Sequence, residues 1–278
     1  MSMKKLIYFL MAALVVLAAI SCKKDNKTGN NKPVNVVPEE AVDLDIVMTR
    51  ADGTTYKLYW AKSNLCESGL CADPEDYGDY YAWGEIEPYY TEGHSQDSPC
   101  ENWRDREDNS VDNSITGYNW SSYKWGDGGS GALLKYNNTY SYGLKDDLTE
   151  LQRKEKDGET MDDAARYVLG GKWRTPTKAE WEALLEKCDV QWKTVDDGYP
   201  HIGCLVTAPS NGNSIFLPAA GCRVAIKTHM VGSYVNYMSS TLYDEKPTRA
   251  WILYGEQNVC VQSLDRYYGN SVRPVYEE

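Results

Sequence analysis

The most regular stretch of the chain runs from Gly170 to Cys188, GGKWRTPTKAEWEALLEKC. Apolar residues fall at Trp181, Leu184, Leu185 and Cys188, the spacing of one helix face. Thr177 followed three residues later by Glu180 predicts a capping box, each side chain satisfying a backbone amide of the first turn. Lys187 falls in the last turn, where a cation suits the helix dipole. Pro176 keeps Thr175 extended, so the helix begins no earlier. The pattern predicts a short structural helix, pressed by its Trp181 face onto a core.

A second short helix is expected over AARYVL, after Asp162 and Asp163 and before Gly170-Gly171. The two carboxylates stand at its start and read as caps rather than as a catalytic acid pair. Strict alternation appears at Val42, Leu44, Ile46 and Met48, then at Tyr56, Leu58 and Trp60, on either side of Asp52-Gly53. That predicts a hairpin. Short strands are expected at Gly203–Val206, Ile215–Leu217 and Gly221–Val224, then along Tyr234–Val275, with NSVRPV as the last. From Trp83 to Asn138 the chain is rich in Tyr, Trp, Asn, Asp, Ser and Gly without periodicity, which predicts long surface loops on aromatic anchors. Gly126, Gly128 and Gly131 spell G-x-G-x-x-G there, but no apolar strand precedes them, so they read as loop. The expected class is α+β: one domain over 39–278, with a small twisted antiparallel sheet, two short helices and long loops.

The first residues follow another pattern. Lys4 and Lys5 precede an apolar run from Leu6 to Ile20, which reads as an export signal ending at Ser21. AISC resembles a bacterial lipobox, implying cleavage before Cys22 and its lipidation. Residues 22–38 are polar and aperiodic, a lipidated flexible tether. The expected location is a bacterial cell envelope, on an outer membrane and exposed at its surface.

Composition narrows the chemistry. With 29 Lys and Arg against 41 Asp and Glu, the formal charge is −12, which argues against a nucleic-acid partner. The 22 Tyr and 9 Trp against 2 Phe suit half-buried strands and also adaptable contact surfaces. Of the eight cysteines, Cys66 and Cys71 close the shortest loop and are the disulfide candidates outside the cytosol. The others are scattered, and with only His94, His201 and His229 no metal or cofactor is expected.

The run WRTPTKAEWEALL resembles the signature of the Fibrobacter succinogenes major paralogous domain family, and more distantly the formylglycine-generating-enzyme-like proteins. Five further segments agree, in family order: EDYGDYYAWGE, LLKYN, DDAARYVLGGKW, NSIFLPAAGCR and RYYGNSVRPV. The resemblance implies a variant of the C-type lectin fold, with the last strand paired back near the first. It also implies a ligand face in the C-terminal third, here Tyr243, Asp244, Arg249, Trp251, Tyr254, Gln257, Asn258, Gln262, Asp265, Arg266 and Tyr268. Trp, Tyr and Arg dominate contact energies, and Asn and Gln add directional bonds. Two positions depart from the family pattern: Met238 replaces a usual Trp, and Gly255 lies near a usual Phe.

The copper-binding cysteine pair of the formylglycine-generating enzymes is not reproduced, since only Cys260 lies in that region. The histidine cluster of the related sulfoxide synthases and the G-x-S-x-G elbow are likewise missing from the sequence. Glu87-Pro88-Tyr89 lacks the amide of the calcium-dependent sugar motif. The expected function is therefore non-catalytic: an adhesin-like surface lipoprotein binding a protein or glycan. The alternatives are a formylglycine-generating-type enzyme with relocated residues and a structural subunit of a fimbrial assembly.

Overall fold

The computed structural model describes residues 36–89, 117–128, 132–153, 161–196, 200–225 and 227–278. The export signal, Cys22, nearly all of the tether, Cys100 and Gly131 lie outside them. In chain order the elements are β1 (Ala41–Thr49), β2 (Thr55–Ala61), β3 (Leu65–Cys66), β4 (Gly69–Leu70), α1 (Ala164–Leu169), β5 (Trp173–Arg174) and α2 (Lys178–Lys187). There follow β6 (Asp189–Asp196), β7 (Pro200–Thr207), β8 (Ser214–Pro218), β9 (Cys222–Val224) and β10 (Lys227–His229). The last five are β11 (Val235–Leu242), β12 (Arg249–Gly255), β13 (Val259–Asp265), β14 (Gly269–Asn270) and β15 (Val275–Glu277).

The described residues are α+β and mainly β, but the strands form several small sheets rather than one. The first has the order β1-β2-β15-β5. The predicted hairpin pairs antiparallel, and β15 lies against β2 with Val275 opposite Trp60. The last strand thus returns to the first hairpin as expected. Near the start of β1 the register slips between Asp43 and Ile46, where Asp45 takes a φ of 57° and its amide bonds the Asp43 carboxylate at 2.8 Å. An aspartate side chain that bonds locally tolerates this left-handed conformation. Three-stranded sheets β6-β7-β8, β10-β9-β14 and β11-β12-β13 follow. Strand β6 is an addition to the sequence reading: only Val190 and Trp192 pack inward, too few for its alternation to stand out.

Helix α2 forms as its caps predict. Thr177 Oγ1 accepts the Glu180 amide at 3.2 Å, and the Glu180 carboxylate accepts the Thr177 amide at 2.7 Å. The Trp181 ring lies 4.6 Å from Trp60 and 5.8 Å from Tyr237, so one indole joins the first sheet, the helix and β11. Helix α1 begins at Asp163, whose carboxylate caps the Arg166 amide, and ends at Gly170. Asp162 departs from expectation. It is no cap but a fully buried carboxylate, accepting Lys135 Nζ and the Tyr136 hydroxyl, each at 2.6 Å. Its partners lie more than twenty residues away, beyond any local pattern.

Strand β11 carries a bulge that shapes the C-terminal third. Met238 pairs with Ile252, but Leu242 pairs with Ala250, so Ser239, Ser240 and Thr241 face Trp251 alone; both serines are fully buried, and β11 carries two extra residues there. Glu150 holds them, accepting Ser240 Oγ at 2.7 Å and Thr241 Oγ1 at 2.5 Å. Pro176 accepts the Ser240 amide at 2.7 Å, locking the bulge to the entry of α2.

Candidate functional site

The C-terminal residues expected to bind a ligand come from β12, β13 and their flanking loops. Side chains alternate across a strand, and paired residues share a face. Arg249 opposite Asp265 and Trp251 opposite Ser263 therefore lie on the face that buries Leu253 beneath α2. Tyr254 opposite Cys260 and Ile252 opposite Gln262 lie on the other. Gln257 and Asn258 are exposed at the turn between the strands. The expected residues thus fall into two groups on opposite faces, not one patch.

The first group centres on Trp251, which is half-buried. Tyr243 meets it edge-on with ring centroids 4.9 Å apart, and Lys178 Nζ stands 4.7 Å over its ring. Lys178 also pairs with Glu182 at 2.7 Å, one helical turn on. The Tyr243 hydroxyl donates to Glu245 at 2.5 Å, and that bond holds the phenol above its ordinary titration range. Arg249 donates to the Ser263 carbonyl. Asp244 is exposed, and its carbonyl accepts Asn138 Nδ2 at 2.8 Å. A cation over a half-exposed indole, with tyrosine, carboxylates and an amide beside it, can make apolar and directional contacts together.

In the second group Tyr254 stacks on Tyr234, with centroids 5.1 Å apart and planes inclined by 28°. Burial, then Tyr234, raises the Tyr254 phenol. Gln262 donates to the exposed Cys260 sulfur at 3.3 Å. Tyr268 packs edge-on against Tyr267 at 4.7 Å, and Tyr267 in turn meets Trp120. The Gly255 departure has a steric reason. Its φ is 155°, and a Cβ there would run into the Asn258 carbonyl that tightens the turn.

Arg266 is a correction. It is 1% exposed and lies under Trp83, 4.8 Å from the ring. Its guanidinium donates to the Tyr123 hydroxyl and to the carbonyls of Tyr136, Pro247 and Lys135 at 2.9–3.1 Å. A guanidinium fills such a fork of acceptors without facing solvent. Arg266 fastens the aromatic loops to β13 and is not available to a ligand.

Sequence inspection alone also missed Lys178, read only as part of a helix, and Tyr234. The parity of Tyr234, two residues before Asn236 opposite Tyr254, was the available signal. The segments that carry the family resemblance turn out to hold the fold. Trp173 packs on Tyr276, Arg174 pairs with Glu180, and Trp83 Nε1 and Trp181 Nε1 donate to the Ser239 and Met238 carbonyls of the bulged strand. Arg273 is fully buried, donating to Asn64 Oδ1 and the carbonyls of Ala61, Lys62 and Phe216.

Cys66 and Cys71 are joined in a disulfide with Cα atoms 5.5 Å apart, closing the β3–β4 hairpin. Cys188, Cys204 and Cys222 are buried free thiols, which burial pushes up to about 11, about 12 and about 11. The buried Glu85 is raised by desolvation, although it accepts the Lys124 amide at 2.7 Å. Among the described residues, no group of three or more His, Cys, Asp or Glu is placed to hold a metal ion. None of their helices is long and apolar enough to cross a membrane. Compared with known proteins, the chain matches no family model, no curated protein and no solved structure.

Proposed function

We propose that this chain is a non-catalytic, adhesin-like lipoprotein of a bacterial cell envelope. It is held at the outer membrane through Cys22, and its C-type-lectin-like domain binds a protein or glycan through the C-terminal third. The observation that carries the reading is the half-exposed Trp251, flanked by Tyr243 and Lys178 and bordered by Asp244 and Glu245. Large aromatic side chains with a cation and polar neighbours are the usual anchors of a contact surface. The lectin-like assignment draws support from β15 between β2 and β5, and from the structural roles of the motif residues.

Glycan and protein arrays probed with the chain from Cys22 onward test it. Binding should fall by about tenfold or more in a Trp251→Ala, Tyr243→Ala variant that melts like the wild type. Retained binding in that variant sinks the assignment of this face. Incorporation of labelled palmitate, abolished by Cys22→Ser, tests the anchor.

A further inference from the structure

The loop from Ala132 to Thr149 divides its large apolar side chains between inside and outside. Leu133 and Tyr136 are fully buried. Leu134, Tyr140 and Leu144 are 47%, 83% and 63% exposed. Two of them, Leu134 and Leu144, are brought together by the backbone. Leu133 and Gly143 form a parallel bridge, with the Leu133 amide on the Tyr142 carbonyl at 2.6 Å and the Leu144 amide on the Leu133 carbonyl at 2.9 Å. The residues that follow the bridge, Leu134 and Leu144, are thereby neighbours on one face. Lys145 Nζ, on the residue after Leu144, stands 5.6 Å from the Tyr140 ring.

The loop is braced to hold this ridge out. The Asp146 carboxylate accepts the amides of Tyr136, Asn137 and Leu148 at 2.7–3.0 Å, and the Asn137 carbonyl accepts those of Asp146 and Asp147. Gly143, at a φ of 110°, lies so close to Leu133 that a Cβ would clash with its backbone. Apolar side chains fixed in water by a rigid loop signal an interaction surface.

We propose that Leu134, Tyr140 and Leu144 anchor a docking surface for a protein that offers an apolar recess ringed by lysine or arginine. The border of the ridge fixes the partner's charge. Asp147 is exposed beside Lys145, and Asn138 ties the loop to Asp244, next to Glu245. The carboxylates outnumber the ammonium groups of Lys145 and Lys246, within a chain of net charge −12. Such a border repels anionic lipid and a second copy of itself. Two of the three anchors are leucines, which offer a sugar neither a stacking ring nor a hydrogen bond. The inference rests on the reading of the domain as a binding module and adds a surface and a partner class.

The test uses the full chain and synthetic amphipathic peptides of three kinds: leucine–lysine, leucine–glutamate and serine–lysine. The leucine–lysine peptide is expected to bind at least about tenfold more tightly than the other two. Replacing Leu134, Tyr140 and Leu144 together by serine should remove that preference without shifting the melting curve. Tyr167→Ser, which removes a 53% exposed tyrosine on α1, should not. Equal binding by the triple variant overturns the proposal, as does equal binding by either control peptide or binding by none. If Trp251→Ala, Tyr243→Ala abolishes peptide binding and the triple variant does not, the docking surface falls while the binding module stands. If the triple variant alone loses peptide binding, the docking surface stands, and the Trp251 face is decided separately by its own variant on the arrays.

Discussion

Arg174 clasps Glu180 with both terminal nitrogens, Nη1 meeting Oε2 at 2.7 Å and Nη2 meeting Oε1 at 2.5 Å, inside the protein. The same carboxylate accepts the Tyr56 hydroxyl at 2.7 Å and closes the capping box of α2. Burial alone would raise Glu180, but Arg174 outweighs it and leaves the carboxyl below its ordinary value of 4.5. A carboxyl lowered on folding adds stability above its unfolded value, and that stability is lost as pH falls through the folded value. Arg174→Met should therefore cost about 3–5 kcal/mol at neutral pH, because it strands a buried charge. Urea unfolding at neutral pH and well below 4.5 should show the penalty shrinking in acid. An equal penalty at both would mean that the pair does not titrate as described.

Arg266→Ala should behave as a folding defect rather than a ligand-binding defect. It removes the donor to three buried carbonyls and a hydroxyl, worth about 3 kcal/mol or more together. Arg266→Lys should recover only part, since an ammonium cannot reproduce the planar fork. Chemical denaturation of both variants checks this; a stable Arg266→Ala protein contradicts it.

Reducing the Cys66–Cys71 disulfide should lower stability by about 2 kcal/mol, the loop-entropy value for so short a ring. The ring lies next to Asn64, whose side chain receives Arg273 and donates to the Asp76 and Tyr77 carbonyls. Serine replacements at both cysteines should lower the urea midpoint without changing the slope.

Thiol labelling of the native chain should mark Cys260 and leave Cys188, Cys204 and Cys222 unmodified until denaturant is added. A buried thiol of raised pKa supplies little thiolate to react. Peptide mass mapping reads the sites directly. Rapid native labelling of Cys222 would show that the β9 layer opens.

Elements whose information is local were legible in the sequence. The capping box of α2, the alternation of β1 and β2, and the close spacing of Cys66 and Cys71 all reappear in the structure. What failed was information held by distant partners. Asp162 looks like Asp163 in sequence and both are fully buried, yet Asp162 bonds Lys135 and Tyr136 while Asp163 caps α1. Arg266 looks like a surface cation because its acceptors are backbone carbonyls, which no residue pattern announces. Trp251 and Tyr254 read as one aromatic set, but three residues along a strand put them on opposite faces. The neighbouring Leu134 and Leu144 were hidden in a stretch without periodicity, because a bridge between loop segments aligns them.

The place of β15 sets a schedule for assembly. Its residues Val275–Glu277 fill the slot between Trp60 on one side and Arg174 on the other. Until they arrive, β2 waits with an unpaired inner edge, and Arg174 lacks both its neighbouring strand and Glu277. Contacts of such long sequence separation are slow to close. A chain of this kind is exposed to wrong strand partners until Val275–Glu277 close the sheet, and a holdase that shields the first hairpin should raise its yield more than one that shields α2.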